Sequence, residues 1–99
     1  MAYQLEITSA GRRAAKKLPK KVRQAIVSKS QVLKTNPLAG EKLRGKYHFL
    51  RSFHLSLKGT QYRVIYEIDK KKQKIYIRYA DSRENLYRDL DKMGLKSIL

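Results

Sequence analysis

Two periods organise the apolar residues of this chain. YQLEI, Tyr3 to Ile7, alternates apolar and polar positions as a half-buried strand does. The period then lengthens. In TSAGRRAAKKL, Thr8 or Ser9 can cap a helix, and Ala10, Ala14 and Leu18 give it a thin apolar stripe. PKKVRQAIVSKSQVLKTNP is a fuller helix, with Pro19 suited to its first position. Val22, Ala25, Ile26, Val32 and Leu33 fall on one side, basic residues cover the other, and Asn36-Pro37 stops it. The Leu18-Pro19 break predicts a helical hairpin lying on a sheet. LAGEKLRGKYHF, Leu38 to Phe49, reads as a loop punctuated by Gly40 and Gly45. Period two returns in three runs, about Phe49 to Leu57, Tyr62 to Asp69 and Lys74 to Ala80. A last amphipathic helix starts near Arg83, with Leu86, Leu90 and Met93 at helical spacing and Gly94 as its stop. LKSIL then leaves Leu95, Ile98 and Leu99 looking exposed.

Parity registers the three strands, because a one-residue slip would exchange their faces. An even loop around Gly59 sets Leu57 against Tyr62, Leu55 against Val64 and Phe53 against Tyr66. Pairing Asp69 with Lys74 sets Ile68 against Ile75, Tyr66 against Ile77 and Val64 against Tyr79. One face is then apolar throughout, from Phe53, Leu55 and Leu57 through Tyr62, Val64, Tyr66 and Ile68 to Ile75, Ile77 and Tyr79. It is expected to receive the two helices. The other face holds Ser52, His54, Ser56, Arg63, Ile65, Glu67, Tyr76, Arg78 and Ala80. In this register His54 and Arg63 are diagonal neighbours, about 7 to 8 Å apart at the backbone, and both can reach one phosphate. Arg83, just beyond the last strand, can approach the same face. A solvated face of an antiparallel sheet is the plainer reading of this pattern, and a site is the other. Glu67 and Arg78 read as a cross-strand ion pair rather than a catalytic one.

Charge narrows the function classes. The 99 residues carry 24 Lys and Arg against 8 Asp and Glu, a formal net charge of +16. Solubility needs only about 2 to 8 charges, so the excess points to a polyanionic partner: nucleic acid, a ribonucleoprotein, an anionic membrane or an acidic protein. The length fits one domain, residues 1–99, with one modest core. The absence of cysteine excludes disulfides and thiolate metal sites and fits a reducing compartment. MAYQLEITSAGRR has no signal-peptide core, and no stretch approaches the roughly 20 apolar residues that span a bilayer. A cytoplasmic protein is therefore expected. The histidines, His48 and His54, lack the acidic spacing of a metal site, so no metal and no cofactor is expected.

The element order, together with EKLRG (Glu41 to Gly45), YRVIYEID (Tyr62 to Asp69) and SRENLY (Ser82 to Tyr87), resembles the RelE/ParE superfamily of type II toxin–antitoxin systems. The resemblance spans nearly the whole chain. It implies an α+β fold, with an N-terminal strand, a two-helix hairpin on an antiparallel-rich sheet and a short C-terminal helix. It also implies a cognate acidic antitoxin as partner. RelE-like members cut mRNA on the ribosome and arrest translation, whereas ParE-like members poison DNA gyrase without nuclease activity; the RelE-like branch is the favoured expectation. A degenerate homologue that only binds antitoxin is a third reading.

On that resemblance, Arg63 matches the arginine that holds the scissile phosphate, and Arg83 the arginine that assists the phosphate or leaving group. Tyr87 matches a tyrosine that stacks on or orients the mRNA. His54 stands near a lysine proposed as general base, and Ser52 near a second lysine, so one basic group is missing. Lys42, Arg44, Arg51 and Arg78 are the cations expected to bind RNA phosphates around them. The implied chemistry is attack of the RNA 2′-OH on its own phosphate. Imidazole can take up the proton near neutral pH, and a guanidinium fork matches phosphate oxygens.

Overall fold

A computed structural model describes residues 2–82 and 85–99. The strand Gln4–Ile7 (β1) leads into the helices Ser9–Lys16 (α1) and Lys20–Ser30 (α2). The strands Glu41–Lys42 (β2), Leu50–Leu57 (β3), Thr60–Asp69 (β4) and Lys74–Asp81 (β5) follow, then the helix Leu86–Met93 (α3). The five strands form one sheet in the order β1-β5-β4-β3-β2. Among the described residues only the β1–β5 pair is parallel. The pair β1 and β2 close the sheet at its edges, and β2 falls inside the stretch expected to be a loop.

Local chemistry fixes how α1 meets the sheet. Thr8 is its N-cap: the Thr8 Oγ1 accepts a hydrogen bond from the Gly11 amide at 3.1 Å. The same hydroxyl donates to the Ile77 carbonyl at 3.1 Å. Gly11 lets the helix come this close, since a Cβ there would lie 2.5 Å from the Ile77 oxygen. Pro19 caps α2 rather than opening it, a shift of one position from the expectation. After Ser30 the chain tightens into a 3-10 turn at Gln31–Lys34. The tightening buries Leu33 completely and turns Val32, expected on the apolar side, out to solvent.

The β3–β4 hairpin keeps the expected parity but not the expected pairs. Its loop is Lys58-Gly59, both at positive φ (48° and 83°), so Leu57 lies opposite Thr60, Leu55 opposite Tyr62 and Phe53 opposite Val64. Two residues at positive φ give the twist that two-residue hairpins favour, so the turn is two residues shorter than the parity argument assumed. The β4–β5 hairpin starts in the expected register, Asp69 with Lys74 to Tyr66 with Ile77. A bulge then intervenes between Ile65 and Tyr66: Ile65 pairs with Tyr79, Val64 with Ala80 and Arg63 with Asp81. Arg78 is the extra residue. Beyond it Tyr79 and Ala80 exchange the faces that strict alternation gave them.

The consequence is a core on both sides of the sheet. The helix side packs Ile26, Leu55, Tyr62, Val64, Ile77 and Ala80 together, and Leu33, Tyr66 and Ile75 beside them. On the side expected to be wet, Leu50, Ile65 and Tyr79 are buried under Leu43, Tyr47, Leu86 and Leu90. Helix α3 and the loop before β3 cover that half, while the end bearing His54 stays open. Among the described residues no helix is long and apolar enough to cross a membrane.

Candidate nucleic-acid interface

The open end of the second face carries a row of side chains across three strands. His54 on β3 lies directly opposite Arg63 on β4, and Arg63 directly opposite Asp81 on β5. The shorter hairpin turn makes His54 and Arg63 direct neighbours rather than diagonal ones. Cβ atoms of directly opposed residues stand about 4.5 to 5.5 Å apart, so an imidazole and a guanidinium here can address one small anion. His54 is exposed, and its Nε2 is 3.3 Å from the Oγ of Ser52, which is 2% exposed. Ser52 thus stands where it can hold the ring rather than bind substrate. Asp81 was missed by the sequence reading. Without the bulge Arg63 would face Ala80, and nothing in the alternation of KIYIRYAD marks where the extra residue falls.

The remaining candidates divide by environment. Tyr87 on α3 is 42% exposed; its hydroxyl accepts a hydrogen bond from the Arg44 amide at 3.0 Å, and its ring lies 6.1 Å from that of Tyr47. Its ring is therefore accessible while its tip is tied to the loop before β3. Lys42 and Arg44 are exposed on that same segment. Arg51 is placed differently. Parity puts it with Phe53 on the helix side, where its Nε donates to the Gly40 carbonyl at 2.9 Å and its Nη2 to the Leu38 carbonyl at 3.4 Å. It braces the loop and is turned away from His54. Arg78 is also committed elsewhere: its Nη1 is 2.5 Å from Glu67 Oε1, and its side chain is 7% exposed. It is an internal counter-ion buried with Glu67 and not a surface phosphate ligand. Arg83 lies outside the described residues.

Asp91 joins α3 to the loop before β3 through charged and polar groups. Asp91 Oδ1 accepts from the Tyr47 hydroxyl at 2.5 Å and lies 2.9 Å from Lys46 Nζ. The tyrosine hydrogen bond, then the lysine, hold the Asp91 carboxyl below its usual range. Asp91 in turn raises Lys46, and burial above all raises Tyr47. No group of three or more His, Cys, Asp or Glu that could hold a metal occurs among the described residues.

Solved structures share this architecture. The toxin–antitoxin complex RelBE2 from Mycobacterium tuberculosis matches at 30% identity and a TM-score of 0.71, over 84% of this chain and 100% of that one. The archaeal RelE–RelB complex from Pyrococcus horikoshii matches at 27% and 0.61, over 86% and 99%. An E. coli RelE mutant in the free state shares the fold at 24% and 0.72, over 96% and 100%. These likenesses define a RelE-type toxin fold. Residues 5–91 match the ParE-like toxin family of type II bacterial toxin–antitoxin systems, and the chain belongs to that family, within the RelE/ParE superfamily. A search of curated protein sequences gives no match.

Proposed function

We propose that this toxin is a ribosome-dependent mRNA endonuclease that arrests translation. The observation that carries the reading is the direct opposition of His54 and Arg63 on the open end of the sheet. RNA supplies its own nucleophile, the 2′-OH. His54 removes its proton, Arg63 neutralises the phosphate as charge develops, and the products are a 2′,3′-cyclic phosphate and a free 5′-hydroxyl. Tyr87 stacks on a base beside the reacting phosphate. Lys42 and Arg44 hold the backbone, and Arg83 stands in the reading as the cation on the leaving side. Asp81 stands opposite Arg63 at the far end of the row. The partner is an antitoxin with an acidic segment, which suits the +16 charge. A groove of about 260 Å³ between α1 and α2, floored by Ile26 and Ile77 and rimmed by Arg12, Lys16 and Arg23, fits an amphipathic acidic helix.

The second reading, a gyrase poison with no hydrolytic chemistry, is favoured by the ParE-like description of the family. Primer extension on mRNA after induction, beside a gyrase supercoiling assay, separates the two. Under the first reading cuts accumulate on translated messages, supercoiling is untouched, and Arg63→Ala loses cleavage by at least about a hundredfold while still binding antitoxin. Full activity in Arg63→Ala removes the site assignment. Inhibited supercoiling without mRNA cuts removes the nuclease.

A further inference from the structure

The two ends of β4 differ in kind. Arg63 stands near the end that carries the site. The other end runs into the turn DKKKQK, Asp69 to Lys74, where Lys70, Lys71 and Lys72 are exposed. The strand between Arg63 and Asp69 spans about 20 Å, at roughly 3.3 Å a residue. The turn is firmly held. The Lys72 amide donates to Asp69 Oδ1 at 3.1 Å, and Gln73 takes a positive φ of 53°. The Gln73 carbonyl accepts the Gln4 amide at 2.9 Å, and the Tyr3 amide donates to the Lys34 carbonyl at 2.8 Å. The start of β1 thus brings the chain at Lys34 up to the turn. The neighbouring carboxylates are already occupied. Asp69 is 8% exposed and bonded to the turn's own backbone, Glu6 lies 3.0 Å from Lys74 Nζ, and Glu67 is buried with Arg78. Among the described residues Lys34, Lys70, Lys71 and Lys72 form no ion pair. The proposed reaction uses none of them.

We propose that this turn is a second nucleic-acid contact, one that grips the phosphate backbone of an RNA double helix. Lysine ammonium groups are point charges that hold phosphates without reading sequence. A single strand is held by stacking its bases on rings as well, and the turn contains no aromatic residue. A double helix hides its base faces and offers phosphates at fixed spacing, which a held turn with three successive lysines can meet. The distance from Arg63 separates this contact from the reacting nucleotide, so message and helix are held at opposite ends of one strand. The choice of RNA over another polyanion rests on the proposed nuclease reading.

The test compares two variants of the whole chain that lose the same charge. One is Lys70→Gln with Lys71→Gln and Lys72→Gln. The other, on exposed positions of α2, is Lys20→Gln with Lys21→Gln and Lys29→Gln. Each is titrated with a short blunt RNA duplex across a salt series. The turn variant is expected to bind about tenfold or more weakly than the α2 variant in 0.1 M salt, with a log–log salt slope shallower by about 2 to 3. Equal losses in the two variants would show a diffuse field and overturn the contact. So would a turn variant that binds the duplex like the parent. Parallel titrations use single-stranded RNA, polyglutamate and vesicles rich in phosphatidylserine. A larger loss in the turn variant on any of these than on the duplex overturns the assignment of the partner. The readout needs no cleavage, so the two readings fail separately. A chain that cuts mRNA but shows equal losses keeps the nuclease and loses this contact. A turn-specific loss on the duplex without mRNA cuts keeps the contact and loses the nuclease.

Discussion

Glu67 shows how much one residue can tie together. It is 1% exposed and pairs with Arg78 across the bulge. It also receives the chain's end: Ser97 Oγ donates to Oε2 at 2.5 Å, and the Ile98 amide approaches both carboxylate oxygens at 3.3 and 3.4 Å. A buried pair of this kind is weak evidence for stability but expensive to break one-sidedly. Arg78→Ala is therefore expected to cost about 3 to 5 kcal/mol in chemical denaturation, because it strands the Glu67 charge. Glu67→Leu combined with Arg78→Met is expected to recover most of that loss. A double variant no more stable than Arg78→Ala would contradict the account. Both residues stood on one face in the alternation of YRVIYEID and KIYIRYAD, and their pairing was legible there. Their burial was not, since it depends on α3 and the tail arriving from far along the chain.

At the scale of elements, α3 combines a predictable helix with a contingent docking. Leu86, Leu90 and Met93 recur at helical spacing, and Gly94 ends the helix at a φ of 63° as a glycine can. Leu86 and Leu90 seat it in the core, and Asp91 adds a polar tie to Tyr47 and Lys46 from the loop before β3. The pH dependence follows from the direction of each shift. Asp91 is lowered in the folded chain, so its contribution is complete above about pH 4 and is lost as pH falls through its folded value. Lys46 and Tyr47 are raised, so their contributions are intact below about pH 10 and are lost as pH rises through their folded values. Protection of the α3 amides from hydrogen exchange is expected to be greatest between those limits. In Asp91→Asn the acid-side loss is expected to vanish; an unchanged acid limb would show that another carboxylate governs it. The β3–β4 hairpin belongs to the same scale. Parity gave its faces, while the positive φ at Lys58 and Gly59 chose the pairs within that parity.

For the whole molecule the charge is the ruling fact. With 24 basic residues against 8 acidic, binding to RNA is expected to weaken steeply with salt, with a log–log slope of about −0.7 for each phosphate neutralised on a single strand. Filter binding of a short mRNA fragment across a salt series measures it, and a flat response would point to an apolar protein surface as the main target. Composition set that charge, and hydrophobic period set the strands, the helices and the face that receives α1 and α2. Those are local or bulk properties, carried by each residue's own side chain and its immediate neighbours. What the tertiary structure alone decided are the matters that turn on one extra residue or one distant contact. The bulge at Arg78 brought Asp81 opposite Arg63 and exchanged the faces of Tyr79 and Ala80. The covering of Leu50, Ile65 and Tyr79 by α3 left His54 and Arg63 at an uncovered end of that face. A single-residue insertion changes no period, and a helix far along the chain leaves no mark on the strand it covers, so neither could be read before the chain was folded.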